Sequence, residues 1–182
     1  MQNQADRIDE VLILTGPPGV GKTTIARALA ESRERAVHLE ADTFFDFIRS
    51  GYIEPWRAES REQNEVVMGI VAAVAIRYAG AGYFTVLDGI ILPAWSLAPL
   101  RRSFEEAGLR SAYAVLRAPL ALCESRAEGR AHKPLEKPEV IEQLWEDFSD
   151  LGGLESHAIE VGDLDPSQSA ALVTRELESL RL

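Results

Sequence analysis

The chain predicts an α/β fold of three layers: a five-stranded parallel sheet with helices on both faces and a small lid. Three observations carry that expectation. Short aliphatic and β-branched runs alternate with longer helical patterns from end to end. No repeat, low-complexity tract or long linker breaks the alternation, and the first run leads directly into a glycine-rich turn that opens a helix. The 182 residues suffice for one such domain and are too few for a second full one, so 1–182 is read as a single unit.

The first strand is expected at about 11–15, where Val11, Leu12, Ile13 and Leu14 form the unbroken apolar run of a strand buried on both faces. Next comes Gly16-Pro17-Pro18-Gly19-Val20-Gly21-Lys22-Thr23, with Thr24 beyond it. This is the G-x-x-x-x-G-K-T phosphate-binding loop in its required setting, between a strand and a helix expected over 22–33. The glycines let backbone N–H groups turn inward around a β-phosphate, Lys22 reaches the β and γ oxygens, and Thr23 offers a hydroxyl to Mg²⁺. The loop implies ATP and Mg²⁺, and with them the three-layer P-loop NTPase fold.

The second strand, at about 36–40, runs through His38-Leu39-Glu40 into Ala41-Asp42, and a helix is expected over 43–49. Asp42 then falls on the sheet edge that carries the phosphate loop. It is the candidate general base for a hydroxyl attacking a phosphoryl group, and it also has the chemistry of a helix N-cap. Glu40 points the same way along an extended strand and is a candidate to assist the metal. Residues 43–65 are the expected acceptor-binding region. Phe44, Phe45, Phe47, Ile48, Tyr52, Ile53 and Trp56 make it aromatic and apolar, and Arg57 and Arg61 follow. The candidate substrate residues are Asp42, Phe45, Trp56, Arg57 and Arg61, although Phe44 and Phe47 at helical spacing fit core packing as well.

A long helix is expected over 59–79; residues 66–76 are apolar on nearly every face, the pattern of a buried helix or of a homodimer surface. The third strand, 83–87, is closed by Asp88-Gly89, which puts a carboxylate at the same edge to hold Mg²⁺ through its water shell. After a helix over 94–107 and a fourth strand at 112–116, a helix over 119–128 ends in Arg126-Ala127-Glu128-Gly129-Arg130. His132, Lys133 and Pro134 then lead to Lys137. Basic side chains closing over phosphates would neutralise charge and exclude water, so about 129–137 is the expected lid and Arg130 its catalytic arginine. The same cations also suit the negative end of a helix dipole. A helix over 138–151, a strand at 158–161 and a helix over 166–180 complete the order, and Pro119, Pro138 and Pro166 each stand at a helix start.

A formal charge of −10 opposes a broad nucleic-acid surface and favours a small substrate. No apolar stretch approaches the ~20 residues of a membrane span, and Asp6, Asp9 and Glu10 do not fit a basic leader, so a soluble cytoplasmic protein is expected. The single cysteine, Cys123, cannot form an internal disulfide and fits a small buried apolar residue.

The G-P-P-G-V-G-K-T loop, the strand ending Leu-Asp-Gly and the R-A-E-G-R before the lid resemble the adenylate-kinase-like P-loop kinases. Because Asp42 follows the second strand, the likeness is to the small-molecule branch, the gluconate, shikimate and chloramphenicol kinases. The resemblance implies transfer of the γ-phosphoryl of ATP to an alcohol, with Arg126 stacked on the adenine and Arg130 on the phosphates. Asp42 would then hold and deprotonate the acceptor. Two departures bear on the acceptor. Adenylate kinases follow the Asp-Gly with a Phe-Pro-Arg that grips a monophosphate, where this chain has Ile90-Ile91-Leu92-Pro93. The arginine and Gly-rich turn with which shikimate kinases take a carboxylate are not evident beyond Asp88.

These residues together point to a phosphotransferase acting on a hydroxyl of a small, partly apolar molecule such as an antibiotic, a sugar-like or a nucleoside-like alcohol. The other classes are a kinase-fold toxin or polynucleotide-end kinase, and a nucleotide-binding switch with slow ATP hydrolysis in which Asp42 is only a cap. Monomer and homodimer are both compatible with the sequence.

Overall fold

Successive residues of the first strand, β1 (Glu10–Thr15), face two different apolar clusters, Val11 and Ile13 one way and Leu12 and Leu14 the other. A strand with no solvated face must lie at the centre of a layered fold. The computed structural model describes residues 10–128 and 138–182. In it β1 is flanked on one side by β3 (Phe84–Asp88) and on the other by β4 (Arg110–Arg117). β2 (Ala36–Glu40) and β5 (Ala158–Glu160) lie outside, giving the order β2-β3-β1-β4-β5 with every pair parallel. The expected lid at 129–137, with Arg130, lies outside the described residues.

Helix α1 (Lys22–Glu31) and helix α7 (Pro166–Glu176) cover one face, where Ile25, Leu29 and Val173 meet Leu12, Leu14 and Val86. Helices α3 (Arg61–Gly80) and α4 (Ala98–Glu106) cover the other with Val67, Val71, Ala75 and Phe104. The remaining helices, α2 (Ala41–Phe45), α5 (Leu120–Glu128) and α6 (Pro138–Asp147), stand toward the carboxyl ends of the strands. Chain order reverses between β3 and β4 on either side of β1, which opens the crevice that ligands use in open α/β sheets.

Several element boundaries differ from expectation for identifiable reasons. α2 begins two residues early, so Glu40 is its N-cap and Asp42 lies in its first turn, where a carboxylate meets the positive end of the helix. It also ends early, because Asp46 and Ile48 donate to carbonyls three residues back instead of four. A wider turn at Pro93–Leu97 precedes α4. α7 stops at Glu176, after which the chain turns back to pair with β4 through Tyr113 N–H to Leu180 O and Leu182 N–H to Ser111 O. α3 packs on one side only, leaving Val66 and Ile70 at least half exposed. Among the described residues no helix is long and apolar enough to cross a membrane.

Candidate active site

The phosphate loop is shaped by contacts that leave no room for side chains. Gly16 has φ 141°, and a Cβ there would stand 2.3 Å from the Leu116 carbonyl oxygen; Gly19 has φ 78°, and its Cβ would stand 2.0 Å from that of Cys123. The loop is thus seated directly on the end of β4 and the backbone of α5. Gly21, φ 107°, is the N-cap of α1 and carries no side chain to occupy the first-turn N–H groups. An open helix N-terminus behind a glycine cradle fits the phosphates of a nucleotide. Lys22 is buried, and its Nζ donates to the Gly16 and Pro17 carbonyls at 2.9 and 3.0 Å, which holds the ammonium against the loop. Thr23, half-buried, follows in the first turn of α1.

Asp88 closes β3 and is almost fully buried. Its Oδ2 accepts from His38 Nε2 at 3.0 Å; a carboxylate only accepts, so Nε2 carries the proton. The β2–β3 register sets Glu40 opposite Asp88, with His38 two residues earlier on the same face. His38, Glu40 and Asp88 therefore project toward the side of the sheet covered by α1, whose first residues are Lys22 and Thr23. A buried carboxylate on that side fits Mg²⁺, which keeps most of its waters and takes one or two protein oxygens.

Gly89 lets α2 come close to the end of β3, because a Cβ there would lie 2.8 Å from the Ala41 Cβ. Asp42, the next residue of α2, faces a cavity of about 1670 Å³ lined also by Pro18 of the phosphate loop. Phe45, Trp56, Arg57 and Arg61 line the same cavity, so all five candidate substrate residues share one space. Arg57 is engaged with Glu54 and Glu59 at 3.5 and 3.7 Å, and Arg61 with Glu65 at 3.0 Å. Leu92 and Trp95 line it as well. The loop carrying them is pinned by Ile91, whose N–H donates to Thr15 Oγ1 at 2.9 Å and whose carbonyl accepts from Tyr113 Oη at 2.7 Å.

Arg126 is exposed, and its Nη1 lies 3.4 Å from the Val20 carbonyl, so α5 does bring this arginine to the phosphate loop. Cys123, one turn earlier, is fully buried; burial pushes its thiol up against smaller downward pulls from Lys22 and Arg126, which suits a packing residue. Phe47 is 71% exposed, which excludes it from the core, while Phe44 packs against the core and meets Phe47 edge to face at 6.0 Å. Two residues of the site were anticipated neither by name nor by region, His38 and Trp95, while Asn64 lies inside the expected acceptor region of 43–65. His38 alone had a signal, since it lies two residues before Glu40 on a strand.

With this geometry in view, the comparisons with known proteins are consistent. Residues 11–151 match the family model described as an AAA domain. No curated protein matches the sequence. The tunicamycin resistance protein of Deinococcus radiodurans has a similar structure, with TM-score 0.69 and 18% identity over 92% of this chain and 94% of that one. A gluconokinase from Sinorhizobium meliloti 1021 gives TM-score 0.66 and 17% identity over 96% and 97% of the two chains. A chain of the Pnkp1/Rnl/Hen1 RNA repair complex gives 0.63 and 20% over 83% of this chain and 47% of that one. The chain belongs to the AAA domain family, and its five-stranded parallel sheet and phosphate loop make it a P-loop kinase fold.

Proposed function

We propose that this protein transfers the γ-phosphoryl group of Mg-ATP to a hydroxyl of a small, partly apolar molecule. The observation that carries the reading is the shared cavity, which is lined by Pro18 of the phosphate loop and Asp42 together with Trp56 and Trp95. Residues 16–24 bind the donor nucleotide, with Arg126 beside the base. Thr23 and Asp88 would hold Mg²⁺, which when bound offsets charge on the phosphates. Glu40 assists at the same edge. Asp42 takes the proton of the acceptor hydroxyl while that oxygen bonds to phosphorus, and the bond to the β–γ bridging oxygen breaks to release ADP. Lys22 and Arg130 counter the charge that builds on the transferred group. The structural likeness to a tunicamycin resistance protein and a gluconokinase supports a small acceptor.

A nucleic-acid hydroxyl is the second reading, favoured by the likeness to a chain of an RNA repair complex. The charge of −10 weighs against it. The test is ADP release from Mg-ATP across a panel of nucleosides, sugars, amino sugars, sugar acids, antibiotics and a 5′-hydroxyl oligonucleotide. Stimulation by one small molecule supports the reading. Stimulation by the oligonucleotide alone, or by nothing while ATP still binds, refutes it.

A further inference from the structure

Helix α3 carries an uncharged run of eleven residues, Val66 to Ile76, yet only one side of it is buried. At about 100° of turn per residue, Glu62, Val66, Gly69, Ile70, Ala73 and Arg77 fall within roughly 60° of one direction, opposite the buried Val71 and Ala75. All six are exposed. A solvated helix face is ordinarily polar, so a stripe whose middle four residues are Val, Gly, Ile and Ala marks an interaction surface. The stripe shares Val66 and Ile70 with a groove of about 480 Å³ that Phe47 and Ile53 also line. Phe47 is itself mostly exposed, so the apolar surface is wider than one helix.

Gly69 stands at the middle of the stripe. Glycine inside a helix is disfavoured relative to alanine, and a Cβ here would meet no atom within 4 Å, so nothing among the described residues of this chain requires it. A second helix crossing at that point would require it, because the spacing of packed helices is set by the side chains between them. Gly69 also belongs to the cavity lining, so the stripe borders the proposed acceptor site.

The ends of the stripe indicate which helix crosses it. Glu62 and Arg77 are equally far from a point between Gly69 and Ile70, and so are Val66 and Ala73. A second α3 laid antiparallel about a two-fold axis through that point sets Glu62 against the partner's Arg77 and Val66 against the partner's Ala73, with the reverse pairs following by symmetry. Among the described residues neither Glu62 nor Arg77 is in an ion pair within its own chain. The charge of −10 opposes self-association in general, and this register offsets it locally with two opposite-charge pairs, where a parallel one would set like charges together.

We propose that the outer face of α3 is a two-fold homodimer interface, in which Gly69 and Ile70 of the two copies meet at the axis and Glu62 pairs with the partner's Arg77 at each end. The occupant is a second copy of this chain, because the surface is its own complement in residue order and in charge. The proposal stands apart from the phosphotransferase reading.

Sedimentation equilibrium of the full chain across the micromolar range tests it. The unsubstituted protein should show a monomer–dimer equilibrium. Ile70→Glu brings two carboxylates together at the axis and should weaken dimerisation about 100-fold or more. Glu62→Arg and Arg77→Glu should each weaken it about 10-fold, and combining them should recover most of the loss, since the pairs re-form with reversed sign. Both residues are exposed, so the charge-reversal arms hold whether or not Ile70→Glu disturbs the fold. Gly69→Ala should raise the Tm of the dilute monomer while weakening the dimer, opposite signs that a merely structural glycine would not give. A monomer at every concentration would leave the stripe to a different partner and overturn the proposal. A dimer untouched by Ile70→Glu and by both reversals would put the interface elsewhere, and a double reversal no tighter than the single ones would refute the antiparallel register; either overturns it.

Discussion

His38 Nε2 and Asp88 Oδ2 lie 3.0 Å apart, joining the adjacent strands β2 and β3 at the edge of the sheet where the phosphate loop begins. The partner fixes the rotation of a carboxylate that has almost no contact with solvent. His38→Ala should raise the Mg²⁺ concentration needed for half-maximal turnover about 10-fold or more, the scale seen when a group supporting a metal ligand is lost. His38→Gln, which can still donate, should recover part of it. Superimposable magnesium titrations for His38→Ala and the unsubstituted protein would show that the pair is structural.

Lys22 holds two carbonyls of the loop, and in the proposed function it also counters charge on the transferred phosphoryl group. Lys22→Ala should therefore lower turnover by 100-fold or more, about 3 kcal/mol of transition-state stabilisation. Steady-state kinetics at saturating Mg-ATP checks this, and a near-normal rate would remove the loop from catalysis.

Gly19 sits where a side chain meets backbone, 2.0 Å from the Cys123 carbonyl oxygen, and has a left-handed φ of 78°. Gly19→Ala should cost about 1–3 kcal/mol from the backbone conformation alone, and more from the clash. Thermal unfolding should show a Tm lower by several degrees, and isothermal titration should show weakened nucleotide binding. Gly51→Ala is the control, since its φ of 76° is similar but no atom lies within 4 Å. If the two variants lose stability equally, the contact with α5 is without consequence.

Arg117, at the end of β4, binds the Glu155 carboxylate through both Nη atoms at 2.9 and 3.0 Å and donates to the Phe148 and Ser149 carbonyls. The Arg117 guanidinium, and then the Leu151 N–H, hold the Glu155 carboxyl below its usual range. A carboxylate lowered in the folded state stabilises the fold above its unfolded pKa, about 4.3, and loses that contribution as pH falls through the folded value. Glu155→Gln should therefore have a lower Tm than the unsubstituted protein at pH 7, with the gap closing under acid conditions. A gap independent of pH would assign the effect to packing.

How much of this was legible in the sequence depended on how local each signal is. The β1-loop-α1 unit was fully readable, because an unbroken apolar run and a fixed glycine spacing specify strand, loop and helix within fourteen residues of chain, 10–23. Asp88 was readable as the acid that ends an apolar run. His38 as its partner was not, since the two are 50 residues apart and only the β2–β3 register brings them together. The Asn64 anchor was hidden for a different, local reason: it depends on Pro55 and Ser60 turning back against the start of α3, which no residue spacing announces. The short reach of α2 was also illegible, as aromatic residues at helical spacing continue past Phe45 while the hydrogen bonds tighten and end the helix.

The most direct test of the central claim follows the γ-phosphoryl group itself. With γ-labelled ATP and the acceptor identified by the panel, label should appear on the acceptor and very little on inorganic phosphate. Asp42→Asn should bind Mg-ATP as before and transfer label to the acceptor at least 100-fold more slowly. Label released only as inorganic phosphate, or transfer by Asp42→Asn at the normal rate, would contradict the assignment of a kinase with Asp42 as its base.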